Sequence, residues 1–179
     1  MTLVYITCLF NFHLLAYLTN LFEQVYVTGI MAVSSEFVAY LIAGYVLEKL
    51  GAKISLMTCY TIAGVGGVLM LTYGLDNMDS IAFPLIFLIC RFGCAGVYIL
   101  FIAANARIFD VEKSATAFGL GSFFARMILS GAPLVSTMSQ PVPMYIFTVT
   151  TILAIGISYF VKVHPDAENR LKKSAVAPV

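Results

Sequence analysis

The sequence predicts an all-α integral membrane protein, a bundle of six transmembrane helices. Hydrophobic residues make up 61% of the 179 residues and charged residues only 11%, whereas about a quarter of the residues of a soluble domain are charged. The hydrophobic residues number about 109, close to what six spans of about 20 residues need. Polar and turn-forming residues also divide the chain into six apolar runs. One helical bundle therefore accounts for nearly the whole chain.

The six apolar runs are predicted to be helical. Nothing in the hydrocarbon satisfies a free backbone amide, and no run shows the ten-residue alternation of a membrane-spanning strand. Pro133 removes a backbone donor inside the fifth run, so we expect a kink near it. The runs are 1–19, 24–46, 54–74, 81–106, 115–138 and 144–161, within a bundle of residues 1–163 that precedes a polar tail, 164–179.

The basic residues of the loops predict the orientation of the bundle. All of them follow the second, fourth or sixth span, as Lys49, Lys53, Arg107, Lys113, Lys162, Arg170, Lys172 and Lys173. The opposite loops carry Glu23, Asp76 and Asp79 and neither Lys nor Arg. By the positive-inside rule, both termini of this multi-pass protein should face the cytoplasm, or the matrix if the membrane is mitochondrial.

The composition also excludes several classes of function. Ten Lys and Arg against nine Asp and Glu give no basic surface for nucleic acid. The cysteines lie in apolar runs without the His and Cys clusters of a metal site, so they are predicted to be packing residues; they are Cys8, Cys59, Cys90 and Cys94. The chain has no nucleophile and base pair and no phosphate-binding glycine loop. We therefore expect neither an enzyme nor a protein with a metal or cofactor.

Three charged residues fall inside the predicted spans: Glu36, Arg91 and Arg126. At about 1.5 Å per residue, each lies roughly 15 to 18 Å from the nearest span end, near the middle of the bilayer. A charge at that depth costs about 2.5 to 3.5 kcal/mol on insertion scales, so each needs a partner or a wet cavity. We expect all three to converge on the interior of the bundle.

Two interpretations of these charges are open. In the first, Glu36 forms a buried ion pair with one arginine that only sets helix register. In the second, the other arginine is free to bind the carboxylate of a solute bidentately, beside an aromatic wall of Tyr5, Tyr40, Tyr98 and Phe10. The charges of Glu36, Arg91 and Arg126 sum to +1, which then favours a zwitterion or an organic anion as the solute. The candidate substrate site comprises Glu36, Tyr40, Arg91, Arg126, Tyr98 and Tyr5.

The end of the second span resembles a loop signature of the major facilitator superfamily. Residues 44–53 read Gly-Tyr-Val-Leu-Glu-Lys-Leu-Gly-Ala-Lys, and the signature is Gly, three residues, Asp-Arg, one residue, Gly-Arg-Arg. Ala52 replaces an arginine of the signature. The matching residues, which we name the loop motif, are Gly44, Glu48, Lys49, Gly51 and Lys53.

The segment before the loop motif resembles the eighth span of the organic cation, anion and carnitine transporters. That span follows the pattern Val-Glu-Ile-Pro-Ala-Tyr, and residues 35–40 read Ser-Glu-Phe-Val-Ala-Tyr. Glu36 and Tyr40 coincide with the pattern, while Val38 replaces its proline. The agreement is closest to the carnitine branch.

Two later stretches are similar to the tenth and eleventh spans of the same family. They are 91–105, in which Asn105 stands where the family usually has glutamate, and 113–133. The position of Arg126 is basic in the anion and carnitine carriers. The resemblance covers residues 1–163 and implies the C-terminal six helices of a twelve-helix carrier.

A single half of such a carrier has no second wall for its substrate site. The resemblance therefore implies a half-length organic-ion carrier that sits in membrane lipid, binds a small carboxylated organic ion and needs a second six-helix half or other membrane subunits. The alternative is a degenerate carrier half that no longer transports and serves as a structural subunit, for example of a mitochondrial respiratory assembly.

Overall fold

A computed structural model describes residues 2–19, 25–73, 82–108, 111–139 and 141–160. The regular elements in these ranges are all helices, as the sequence predicts: α1 Thr2–Leu18, α2 Val25–Thr72, α3 Ala82–Ile108, α4 Val111–Leu129, α5 Ala132–Ser136 and α6 Val142–Phe160. The loop residues Glu23, Asp76, Asp79 and Lys162 and the tail 164–179 lie outside the described residues. The sidedness of the helices accordingly stays a prediction.

Among the described residues, four helical stretches are long and apolar enough to cross a membrane: Gly29–Thr72, Phe83–Asn105, Phe118–Ser136 and Val142–Tyr159. These stretches fit a multi-pass membrane protein. The predicted count of six spans is not confirmed. The second and third predicted spans lie in one element, α2, whose two helical parts meet at a kink at Gly51, and the apolar stretch of α1, Leu3–Leu18, is shorter than a full span.

The long helix α2 bends sharply at Gly51. This residue has φ 79° and ψ 165°, a backbone conformation that is essentially restricted to glycine because any Cβ would be crowded there. We designate residues 25–50 as α2a and residues 52–72 as α2b.

Contacts with α3 show that α2a and α2b run antiparallel. Glu36 in α2a bonds to Arg91 of α3. In α2b, the backbone nitrogen of Ala63 lies 2.6 Å from the position that a Cβ on Gly93 of α3 would occupy. Because both halves reach the same level of α3, the chain reverses its direction at Gly51.

Glycines allow α2b and α3 to approach closely. A Cβ on Gly66 of α2b would lie 2.7 Å from the sulfur of Cys90, a contact shorter than real side chains make. Gly93 meets the backbone of α2b directly. Small residues at such a contact let two membrane helices gain dispersion energy along their backbones.

A buried polar contact ties α1 to α6. The amide nitrogen of Asn11 donates to the hydroxyl of Thr151 at 3.0 Å, and its amide oxygen accepts from the hydroxyl of Thr150 at 2.7 Å. Asn11 is fully buried. Hydrogen bonds of this kind between membrane helices contribute about 0.6 to 2 kcal/mol each.

The fifth predicted span is interrupted near Pro133, as expected. Helix α4 ends at Leu129, and Gly131 caps the short helix α5, which has Pro133 in its first turn. Helix α4 packs against α1 through the buried Ala125 and leaves its opposite face uncovered.

We expect Gly93→Ala to lower the thermal unfolding midpoint of the purified protein by several degrees. The new methyl group would force α2b and α3 apart, and overpacking of this kind costs about 1 to 3 kcal/mol. Gly156→Ala on α6 is the matched control, since a Cβ there meets nothing within 4 Å. Thermal denaturation in mild detergent measures both variants, and equal midpoints would contradict the close contact.

Candidate functional site

An ion pair between Glu36 and Arg91 lies at the centre of the candidate site. The Nε of Arg91 donates to Oε1 of Glu36 at 2.6 Å, and the two side chains are 10% and 13% exposed. The sequence leaves open which arginine pairs with the glutamate. The fold selects Arg91, because α2a and α3 pack side by side at this level.

Phe12 of α1 also contacts the guanidinium of Arg91. The Cζ atom of Arg91 lies 4.5 Å from the centre of the Phe12 ring, a cation–π contact. The Nη1 group also donates to the carbonyl oxygen of Phe12 at 3.4 Å. One guanidinium thus connects α1, α2a and α3.

Five rings from α1, α3 and α4 form a continuous aromatic layer next to this pair. Tyr5 stacks on Phe101 at a centroid distance of 4.2 Å and on Tyr98 at 6.4 Å, and Tyr98 stacks on Phe12 at 5.9 Å. Phe118 of α4 lies 5.8 Å from Tyr5. Tyr5 and Phe101 are buried, whereas the other three rings are partly accessible.

Tyr40 lies one helical turn after Glu36 and is partly buried. Its hydroxyl is near enough to Glu36, Arg91 and Tyr98 to interact with them electrostatically. The predicted tyrosines of α1, α2a and α3 are therefore grouped around the ion pair.

Arg126 lies on α4 at the edge of the same group. It acts electrostatically on Tyr98, and Ser122, one turn earlier on α4, contacts the hydroxyl of Tyr5 at 3.5 Å. Arg126 differs from expectation in being exposed. The predicted interior position was wrong for this residue, because no described helix covers the outer face of α4.

Among the described residues, the site contains one neutralised ion pair and one further cation. Glu36 and Arg91 neutralise each other, and Arg126 forms no ion pair within the described part of the chain. Phe12 contacts Arg91, and Tyr98, which stacks on Phe12, is within electrostatic reach of Arg126. The arrangement can bind an anionic group at Arg126 and an apolar or aromatic group along the rings.

The loop motif lies at the turn between α2a and α2b. Its exposed residues are Gly44, Glu48 and Lys49. Lys49 lies over the Tyr45 ring at 5.7 Å, and Lys53 over the Tyr159 ring at 4.9 Å. The motif is remote from the ion pair, and its clearest structural requirement is the positive φ of Gly51.

Phe12 belongs to the site although the sequence analysis does not predict it. It falls seven residues after Tyr5 and thus on the same face of α1. Helical spacing from Tyr5 could have indicated it, but its partners lie on other helices.

The four cysteines are free and buried, as predicted for packing residues. The thiol of Cys8 donates to the carbonyl oxygen of Cys94 at 3.6 Å. Among the described residues, no group of three or more His, Cys, Asp or Glu side chains could hold a metal ion.

Comparisons with known proteins leave the family open. No protein-family model matches the chain, and no match was found among curated proteins. The resemblance to the organic-ion carriers accordingly rests on the loop motif, the segment around Glu36 and the stretches 91–105 and 113–133.

Proposed function

We propose that this chain is the C-terminal half of an organic-ion carrier of the major facilitator type, active only with a second membrane chain. The observation that carries the proposal is the guanidinium of Arg126, which forms no ion pair within the described residues and is within electrostatic reach of Tyr98 in the aromatic layer. The substrate would be a carboxylated zwitterion or anion.

The charge balance supports this class of substrate. Glu36 is committed to Arg91, so the site retains one positive charge. An unpaired charge within the membrane costs about 2.5 to 3.5 kcal/mol or more. A solute carboxylate would remove this cost and bind the planar guanidinium through two hydrogen bonds.

The reversal at Gly51 supports six spans. The 26 residues of α2a and the 21 residues of α2b correspond to roughly 39 and 31 Å of helix, and a bilayer core is about 30 Å thick. The proposed spans are α1, α2a, α2b, α3, α4 together with α5, and α6.

The uncovered position of Arg126 supports the need for a partner. In carriers built from repeats, substrate binds between two halves that rock against each other. Here, the described residues supply one wall only. The partner would supply the other.

Reconstituted uptake tests the proposal. The chain would be purified in mild detergent with its co-migrating partner, placed in liposomes and offered three labelled solutes: a carboxylated zwitterion, an aromatic carboxylate and a quaternary ammonium ion without a carboxylate. We expect saturable uptake of at least one carboxylated solute by the pair and none by the chain alone. If the pair takes up none of the three, or only the ammonium ion, the proposal is wrong.

A further inference from the structure

The outer face of α4 is the most exposed surface among the candidate spans. Only 17% of the span Phe118–Ser136 is buried, against 56% of Phe83–Asn105 in α3. The face is apolar, with exposed side chains at Leu120, Phe123, Phe124, Met127 and Ile128. Within the described stretch Phe118–Ser136, Arg126 is the one charged residue, and helical spacing puts it at the edge of this face, one turn after Ser122. The face has the composition of a helix surface that packs against another membrane helix, with a cation at its edge.

Arg126 lies deep in this span. It lies eight residues after the first and ten residues before the last residue of the stretch Phe118–Ser136, which corresponds to roughly 12 and 15 Å, and it is in the last turn of α4 before the break that leads to α5. An arginine near a helix end can reach the headgroups with its long side chain, but one near the midpoint requires bilayer thinning or a water defect. Acyl chains are therefore a poor cover for this face.

A second copy of the chain is also a poor cover. Glu36, Arg91 and Arg126 are the charges of the predicted spans, and their sum is +1. Two copies facing each other would bring a charge of +2 into one interface, however the carboxylates were shared. Burying uncompensated like charges opposes association.

We propose that the face of α4 around Arg126 docks a different membrane chain, one that carries an aspartate or glutamate at the depth of Arg126. Charge complementarity identifies this partner, since one carboxylate neutralises the interface. The inference rests on the proposed function in one respect, that the partner is the chain forming the second wall. A solute carboxylate would then compete with the partner's carboxylate for Arg126.

Site-specific photocrosslinking in native membranes tests the proposal. A benzophenone side chain would replace Phe123 or Met127 on α4, with Val149 on the exposed face of α6 as the control position. We expect one adduct from the α4 positions, with another chain whose crosslinked span contains Asp or Glu, and no such adduct from Val149.

Charge substitutions then separate a specific ion pair from simple proximity. Arg126→Gln should reduce the adduct at least tenfold, and Arg126→Lys, which keeps the charge, should retain most of it. Arg126→Glu should lose the adduct, and changing the partner's acidic residue to arginine should restore it. Because Arg126 is exposed, size-exclusion chromatography should show each variant to be as monodisperse as the unchanged chain.

Four outcomes would overturn the inference. They are an adduct between two copies of this chain, an adduct with lipid alone, a partner span without Asp or Glu, and an adduct insensitive to Arg126→Gln. The inference and the proposed function fail separately. Charge-dependent crosslinking without uptake removes only the carrier function, and uptake with charge-independent crosslinking removes only the ion pair to the partner.

Discussion

Glu36→Ala is expected to destabilise the fold more than the other substitutions considered for this chain. The change leaves the guanidinium of Arg91 without its counter-charge in a largely buried position. Removing one partner of a buried ion pair costs about 3 to 5 kcal/mol, and the residual exposure of this pair places the expectation near 3 kcal/mol. Unfolding by denaturing detergent, followed by circular dichroism, measures the change.

Two further variants identify the cause of the loss. Glu48→Ala is the matched acidic control, since Glu48 is exposed at the Gly51 turn, and it should cost well under 1 kcal/mol. The double variant Glu36→Met with Arg91→Met should be much closer to the unchanged chain than either single variant, because no uncompensated charge is left. If Glu36→Ala costs no more than Glu48→Ala, the ion pair does not stabilise the fold.

Arg126→Ala is expected to reduce uptake of a carboxylated solute by the reconstituted pair about 30-fold or more. This factor corresponds to about 2 kcal/mol, the lower end of the cost of truncating one member of a hydrogen-bonded charge pair. The effect should appear mainly as a higher solute concentration at half-maximal uptake. Initial rates measured over a range of concentrations give this value.

Two controls for Arg126→Ala test the charge of the side chain and the carboxylate of the solute. Arg126→Lys should give intermediate uptake, because lysine keeps the charge but cannot form the bidentate contact. The same solute with its carboxylate converted to an amide should enter slowly and should be indifferent to Arg126→Ala. Unchanged uptake of the carboxylated solute by Arg126→Ala would reject the site.

The composition and the apolar runs were sufficient to predict the helices, because a membrane-spanning backbone has few alternatives. They also placed Glu36 and Arg91 at comparable depths. They left the count of spans unconfirmed, since helical residues continue through the predicted boundary between 46 and 54, where the chain reverses at Gly51. A positive φ is a local property that glycine permits but does not require.

The candidate site, too, could be predicted from the sequence only in part. Tyr5, Tyr40 and Tyr98 could be predicted as members from their helical faces and their proximity to the charges. The involvement of Phe12 depends on how α1 lies across α3, which depends on contacts distant in sequence. Arg126 is exposed because no described helix packs against its side of α4.

Residue type and spacing are sufficient to predict a helical, apolar chain with three charges within its predicted spans. The packing of the helices selects Arg91 as the partner of Glu36 and, among the described residues, leaves Arg126 exposed and without an ion pair. From the sequence alone, two arginines at the same depth are equally good partners for Glu36. The packing of α2a against α3 places Arg91 of α3, and not Arg126 of α4, in contact with Glu36.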